Sequence, residues 1–295
     1  MNQQYIQEAR DFKSLSDSYR LKNSVQIPCI GFGTWLMPND EIGVAAVKKA
    51  VEVGYRHIDT AAVYKNEESV REGIRQSGIP REEIFITTKL ANPEHGYEST
   101  LRAFAESLER LGTDYVDLYL IHWPNPLKFR DCWVEKNAET WRAFEELYES
   151  GKIRAIGVSN FWQKHLEALA KTARIQPMVN QIHVCPGNVD QELIRYCQER
   201  EILIESYSPL GRGQILEIRE LQELSEHKGK TIPQIVLRWH LQRGLLPLPK
   251  SVTAQYIEEN TRVFDFELSP EEMALVDRVA EGSCGSSKDP DRVDF

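Results

Sequence analysis

Eight apolar, β-branched runs punctuate this chain, and each gives way to segments whose apolar positions recur at helical spacing. The runs fall at residues 29–35, 55–59, 84–89, 116–122, 155–158, 178–182, 202–206 and 245–248. Helical segments follow at 41–53, 67–77, 98–111, 138–150, 163–171 and 190–199, with two more at 216–227 and 233–242 ahead of the last run. Strands that alternate with helices pair in parallel, because each crossover brings the chain back to the same end of the sheet. Eight such units, with no composition shift that marks a linker, predict an α/β fold: one (β/α)8 TIM barrel domain over residues 1–295. Ahead of it, residues 19–27, with Asn23-Ser24 at the middle, read as a short N-terminal hairpin. Residues 1–16 read as a polar extension compatible with helix.

Barrels of this kind place their sites where the strands end, so the residues at the eight exits decide the chemistry. In order they are Thr34-Trp35, Asp59, Lys89, His122-Trp123, Ser159-Asn160, Gln181, Tyr207-Ser208 and Lys250-Ser251. Asp59, Lys89 and His122 leave three successive runs, and Tyr64 lies just beyond the first, in YRHIDTAAVYKNE. A tyrosine of pKa about 10 is a poor proton donor at neutral pH. An ammonium about 4 Å away, at an effective dielectric near 20, is worth up to about 4 kcal/mol, roughly three pKa units. Lys89 is therefore expected to bring the Tyr64 proton within reach of neutrality, with Asp59 holding Lys89 beside it. Any one polar strand end is ordinary; four that converge read as a site. Ser159, Asn160 and Gln181 suit a carboxamide, Tyr207 an aromatic ring, and Lys250 with Ser251 a phosphate near the helix that begins at Thr253. A nicotinamide dinucleotide meets all of these demands.

Composition narrows the alternatives. A formal charge of -9 argues against nucleic acid or an anionic membrane as the main partner. No apolar run approaches the ~20 residues that span a bilayer, and MNQQYIQEARDFKS lacks an export core, so a cytoplasmic protein is expected. Five scattered cysteines without a CxxC pair suit free thiols, and Cys185 reads either as a thiol facing the pocket or, the favoured reading, as a buried, inert one. The GFG stretch at 31–33 lacks the third glycine of a dinucleotide fingerprint, since Leu36 holds that place. It reads instead as a tight exit that brings backbone and Trp35 to a ligand. His57 and His183 could join His122 and Asp59 around a metal, but no HxH or HExxH pair supports it. His95, His165, His227 and His240 read as surface or loop residues. Lys128 and Arg130, in the loop 124–137, either draw in a substrate carboxylate or form a solvated pair.

The segments GFGTW, HIDTAAVYKNE, ITTKL, DLYLIHWP, GKIRAIGVSNF, NQIH, SYSPLG, LPKSVT and EEN together resemble the aldo-keto reductases, from about Leu21 to the DPDRVDF tail. The resemblance implies a barrel that binds NAD(P)H without a Rossmann fold and reduces aldehydes or ketones to alcohols. It implies that Tyr64 donates the proton, that Lys89 and Asp59 tune it, and that His122 orients the carbonyl. Ser159, Asn160 and Gln181 would hold the carboxamide, Tyr207 would stack on the nicotinamide, and Lys250, Ser251, Glu259 and Asn260 would bind the adenosine end. Further cofactor contacts are expected from Gly33, Thr34, Asp59, Ser208, Leu210, Val252 and Tyr256. Trp35 and Trp123, with Tyr64 and His122, would line the substrate. The SYSPLGRG segment and short tail look more like the bacterial 2,5-diketo-D-gluconate reductase and prostaglandin F synthase-like branch than the steroid-reducing members. Tyr256 stands where the family usually has an arginine for the cofactor 2′-phosphate, so NADPH is expected with weaker discrimination against NADH. The sequence also departs after NQ, where it reads His183-Val184-Cys185-Pro186. The implied protein is a monomer that acts on a small-molecule carbonyl and holds no metal. A nucleotide-binding regulatory module with little turnover is the alternative, and the complete set of Asp59, Tyr64, Lys89 and His122 argues against it.

Overall fold

In the computed structural model, which describes residues 4–295, the alternation of the sequence closes into a barrel. β1 (Ser18–Arg20) and β2 (Gln26–Pro28) pair antiparallel as the expected hairpin. The parallel strands are β3 (Phe32–Gly33), β4 (His57–Asp59), β5 (Phe85–Leu90), β6 (Val116–Ile121), β7 (Ile153–Ser159), β8 (Val179–His183), β9 (Leu203–Tyr207) and β10 (Leu246–Leu248). Each pairs with its neighbour in sequence. The last seam, β10 against β3, is held by the Gly31 N–H to the Pro247 carbonyl at 3.1 Å and the Gly33 N–H to the Pro249 carbonyl at 3.0 Å.

Glycine is needed at that seam. A Cβ on Gly31 would stand 2.5 Å from Leu248 Cδ2 and 2.6 Å from His57 Nδ1, and one on Gly33 would stand 3.1 Å from the Leu248 carbonyl oxygen. The GFG stretch thus serves the close approach that shuts the barrel. It also explains why the run at 29–35 yields a strand of two residues: this part of the chain is held by isolated backbone bonds rather than a long ladder.

The helices are α1 (Gln4–Arg10), α2 (Glu41–Glu52), α3 (Glu67–Ser77), α4 (Tyr97–Leu111), α5 (Trp133–Glu149), α6 (Gln163–Ala170), α7 (Gln191–Gln198), α8 (Arg219–Lys228), α9 (Ile232–Gln242), α10 (Ala254–Glu259) and α11 (Pro270–Asp277). Their ends follow local chemistry. The Asp40 side chain accepts the Ile42 and Gly43 N–H groups at the start of α2, and Gly78 and Gly112 end α3 and α4 in the left-handed region. α5 begins at Trp133, inside what the sequence suggested was loop, and Leu127–Cys132 before it forms 3-10 turns. α11 was not expected, although Ser269, Pro270 and Glu272 form a capping box with proline in its first turn. No helix among the described residues is long and apolar enough to cross a membrane.

The hairpin and α1 close the end of the barrel where the strands begin. The Tyr19 hydroxyl donates to the Leu245 carbonyl at 3.2 Å, just ahead of β10. Tyr5 and Phe12 meet the Tyr19 ring edge-on at 5.8 and 4.8 Å, and the Tyr5 hydroxyl donates to the Glu201 carbonyl at 3.0 Å. The described part of the N-terminal extension therefore belongs to the core. Tyr5→Ala is expected to lower unfolding stability by about 3 kcal/mol, from the lost ring and hydrogen bond. Urea denaturation would read that loss, while turnover of the folded protein at moderate temperature stays near the parent value.

Candidate active site

Asp59 ends β4 in register with Thr87 of β5, so Lys89, two residues on and on the same face, overhangs it. The Lys89 ammonium donates to both Asp59 oxygens, at 2.7 and 2.9 Å, and to the Thr60 carbonyl at 2.9 Å, and the Tyr64 hydroxyl lies at 3.4 Å as a fourth, longer contact that shares one of its three hydrogens. Lys89 has no exposed surface. Tyr64 closes a single 3-10 turn, Ala62–Tyr64, that stops at Lys65 in the left-handed region, φ 55°. Asn66 anchors the turn: its amide donates to the Thr34 and Met37 carbonyls at 2.8 and 3.0 Å and accepts the Thr60 hydroxyl at 2.8 Å. His122, just past β6, meets the Tyr64 ring edge-on at 5.7 Å. The four groups expected from the strand exits thus share one mouth.

Their electrostatics differ from the simple expectation. Burial raises the Tyr64 pKa above its ordinary value, and Lys89 opposes the rise without cancelling it. The sequence argument treated Lys89 as a free charge near 4 Å. In the structure Asp59 engages the ammonium at shorter range than the phenol does, and its own charge adds to the rise. Burial alone would lower the Lys89 pKa, but Asp59, then Tyr64 and Glu205, hold it above normal. Burial, then Lys89 and His95, drives His122 well below the ordinary histidine range, so its ring is neutral.

On the opposite side of the mouth, Ser159, Gln181 and Glu205 stand side by side across β7, β8 and β9. The Ser159 hydroxyl donates to the Gln181 backbone carbonyl at 2.8 Å. Asn160 adopts the left-handed region, φ 62°, and its amide donates to the His122 carbonyl at 3.0 Å and to Ser159 Oγ at 3.1 Å. The Tyr207 hydroxyl donates to Asn160 Oδ1 at 2.8 Å, and its ring stacks on His183 at 5.4 Å. Further along the rim, Lys250 has no carboxylate partner among the described residues, and burial lowers its pKa. Ser251 Oγ accepts the Thr253 N–H at 3.0 Å. Tyr256 lies exposed on α10, while Arg262 is occupied by Glu258 at 2.7 Å.

Several residues stand elsewhere than expected. His95, His165 and His240 are buried, not superficial; only His227 of that set is exposed. His95 stacks on Phe129, His165 shares Asp291 at 3.0 Å, and His240 bridges the Val236 and Val184 carbonyls. Lys128 donates to the Pro93 carbonyl at 2.9 Å and Arg130 to the Val293 carbonyl, so both brace the loop. Cys185 is buried, its thiol on the Cys284 carbonyl at 3.3 Å. Among the described residues no three His, Cys, Asp or Glu side chains are grouped to hold a metal. Sequence reasoning missed Arg212, whose guanidinium lies over the Trp35 ring at 4.5 Å, and the covering of Trp123 by Phe295 at 5.4 Å. No pattern in the sequence announces either contact.

A parallel barrel whose mouth gathers a phenol, a buried ammonium–carboxylate pair and a neutral imidazole has the equipment of a carbonyl-reducing enzyme. Comparison with known proteins agrees. Residues 29–281 match the Aldo/keto reductase family. The chain is 50% identical over 266 residues to the glyoxal reductase of Bacillus subtilis (strain 168), which covers 90% of this chain and 94% of that protein. Among solved structures it is similar to MGS-M4, an aldo-keto reductase enzyme from a Medee basin deep-sea metagenome library, at 44% identity and TM-score 0.87 over 94% of this chain and 100% of that one. It is also similar to the Bombyx mori aldo-keto reductase AKR2E4 in complex with NADP, at 38% identity and TM-score 0.81 over 90% and 92% of the two chains. The protein belongs to the aldo/keto reductase family, and is an oxidoreductase of carbonyl compounds.

Asp59→Asn is expected to act through Lys89. Without the carboxylate, burial dominates and the ammonium loses its proton at lower pH than in the parent. The alkaline limb of kcat/KM should move to lower pH, and stability should fall by about 3–5 kcal/mol, as when a buried pair loses one partner. A pH–rate profile alongside urea denaturation would check both.

Proposed function

We propose that the protein reduces small aldehydes and 1,2-dicarbonyls with NADPH, Tyr64 donating the proton. The observation that carries this reading is the Lys89 ammonium held between Asp59 and the Tyr64 hydroxyl at the barrel mouth. Bound NADPH would supply a hydride to the carbonyl carbon. Tyr64 stays protonated at neutral pH because burial raises its pKa, and a proton donor must hold its proton until charge develops on the substrate oxygen. As that proton leaves, the phenolate forms beside Lys89, which stabilises it in a site poor in water. Neutral His122 can donate a hydrogen bond to the same oxygen without adding a second positive charge beside Lys89.

The rim residues fit a nicotinamide dinucleotide. Ser159, Asn160 and Gln181 would hold the carboxamide, Tyr207 the ring, and Lys250, an ammonium without a carboxylate partner among the described residues, a phosphate. Gly33, Thr34, Ser208, Leu210, Ser251, Val252, Glu259 and Asn260 complete the proposed cofactor cleft, and Trp35 and Trp123 the substrate side. The likeness to a glyoxal reductase favours glyoxal-like dicarbonyls as first substrates. The protein would act as a cytoplasmic monomer.

Tyr64→Phe is expected to lower kcat on methylglyoxal by about 10²–10⁴, the usual worth of a general acid, with the Kd for NADPH unchanged. Near-parent kcat at saturating cofactor would remove Tyr64 from the mechanism. Cofactor choice gives a second test. Tyr256 offers a hydroxyl and a ring to the adenosine end but no charge, and Arg262 is tied to Glu258. Tyr256→Arg is expected to tighten NADPH relative to NADH by roughly ten- to a hundredfold, the value of one charge-assisted contact. Dissociation constants by fluorescence quenching would show it, and an unchanged ratio would mean that position 256 does not face the 2′-phosphate.

A further inference from the structure

Every side-chain donor hydrogen on the three residues proposed to face the carboxamide is committed within the protein. The Ser159 hydroxyl gives its hydrogen to the Gln181 carbonyl, and the Asn160 amide gives both of its hydrogens to the His122 carbonyl and Ser159 Oγ. Gln181 Nε2 donates to Asp59 Oδ2 and to Glu205 Oε2, each at 2.8 Å. An amide nitrogen carries two hydrogens, so these contacts exhaust it. What remains for a ligand is a set of acceptors: Gln181 Oε1 and the spare lone pairs of Ser159 Oγ and Asn160 Oδ1. Such a set complements the N–H groups of a carboxamide and rejects its carbonyl.

The structure assigns Glu205 the role of a positioning residue: with Asp59 it locks the Gln181 amide so that only acceptors face the cofactor carboxamide, which selects an N–H-bearing nicotinamide. This rests on the cofactor reading above. Glu205 sits beside Gln181 in the β8–β9 register and has no exposed surface. Turned over, the Gln181 oxygen would oppose Asp59 Oδ2, an acceptor already paired with the Lys89 ammonium, and that contact fixes the orientation. Burial, then nearby Asp59, pushes the Glu205 carboxyl up to about 8. Oε2 accepts from Gln181 whether or not the group is ionised, so the arrangement holds through neutral pH. Oε1 has no hydrogen-bond partner and lies 3.7 Å from His57 Nε2, whose ring is kept neutral by burial and Lys89. A buried carboxyl with an idle oxygen is costly to stability. Its presence beside Gln181 therefore points to the site.

The test measures binding without turnover. Dissociation constants for NADP+, its 3-acetylpyridine analogue, which lacks the N–H donors, and 2′,5′-ADP, which lacks the nicotinamide, are compared for the parent, Glu205→Ala and Glu205→Gln. The parent should prefer NADP+ over the analogue by about three- to tenfold, the worth of one neutral hydrogen bond. Glu205→Ala should lose that preference and bind 2′,5′-ADP as the parent does. Glu205→Gln, whose amide oxygen can still accept from Gln181, should keep most of it. Equal weakening of NADP+ and 2′,5′-ADP in Glu205→Ala would mark a merely structural role and overturn the assignment, as would a preference that survives the substitution. If Glu205→Ala does not fold, Glu205→Leu replaces it, and a parent that binds NADP+ and the analogue equally overturns the proposal without any variant. Failure of the underlying cofactor reading looks different: the parent would bind neither NADP+ nor 2′,5′-ADP.

Discussion

A lysine ammonium with no exposed surface, gripped by a carboxylate at 2.7 and 2.9 Å, organises the mouth of this barrel. Taking both charges out of water costs several kcal/mol per ion, so the pair is tolerable only if its geometry is good and the remaining hydrogen-bonding capacity is used. Both conditions are met locally. The third Lys89 contact goes to the Thr60 carbonyl, which pins the chain as it leaves β4, and the spare capacity of Asp59 goes to Gln181 across the barrel. The pair thus ties β4, β5 and β8 together and sets where the turn bearing Tyr64 begins. Asn66 holds the far side of that turn to the exit of β3.

Much of this was legible because a parallel barrel writes its site into the sequence as polar residues at the ends of apolar runs. Asp59, Lys89, His122, Ser159 and Gln181 were visible for that reason, and the parallel register brings them together. Glu205 was not visible. It lies inside the run ILIESY, where alternation makes a lone acid look like a solvent-facing position. Its neighbours in space, Asp59 and His57, come from a strand five places back in the sheet order. The buried histidines were missed for a related reason. Only the folded chain shows that His95 rests on Phe129 or that His165 meets Trp133 and Phe161. The length of β3 was misread because its glycines answer to Leu248 and His57 across the closing seam, contacts far off in sequence.

The acidity of Tyr64 shows where a two-body argument fails. A phenol and an ammonium taken alone predict a lowered pKa, yet the burial that strengthens their attraction also penalises the phenolate, and Asp59 has already drawn on the ammonium's charge. The resulting balance suits the proton-donor role proposed for Tyr64 better than the expected one. A phenol brought down to neutrality would spend much of its time ionised, with no proton to give.

The same reasoning extends to the whole mouth. One ammonium faces one close carboxylate; His57 and His122 are held neutral by burial with Lys89 adding to the effect, and Glu205 is pushed toward its protonated form by burial and Asp59. The site at rest therefore holds little net charge, which is the cheapest state for a buried polar cluster. In the proposed reaction, charge would appear only when a carbonyl oxygen takes a hydride's electrons, and the groups proposed to meet that oxygen, the Tyr64 hydroxyl and the His122 ring, already touch each other edge-on in the resting protein. Preorganisation of this kind lowers the barrier because no dipole has to turn as the charge forms. Lys89 fits that proposal as a reservoir of positive charge: Asp59 keeps it protonated at rest, and its contact with Tyr64 would grow stronger only as the phenol gave up its proton.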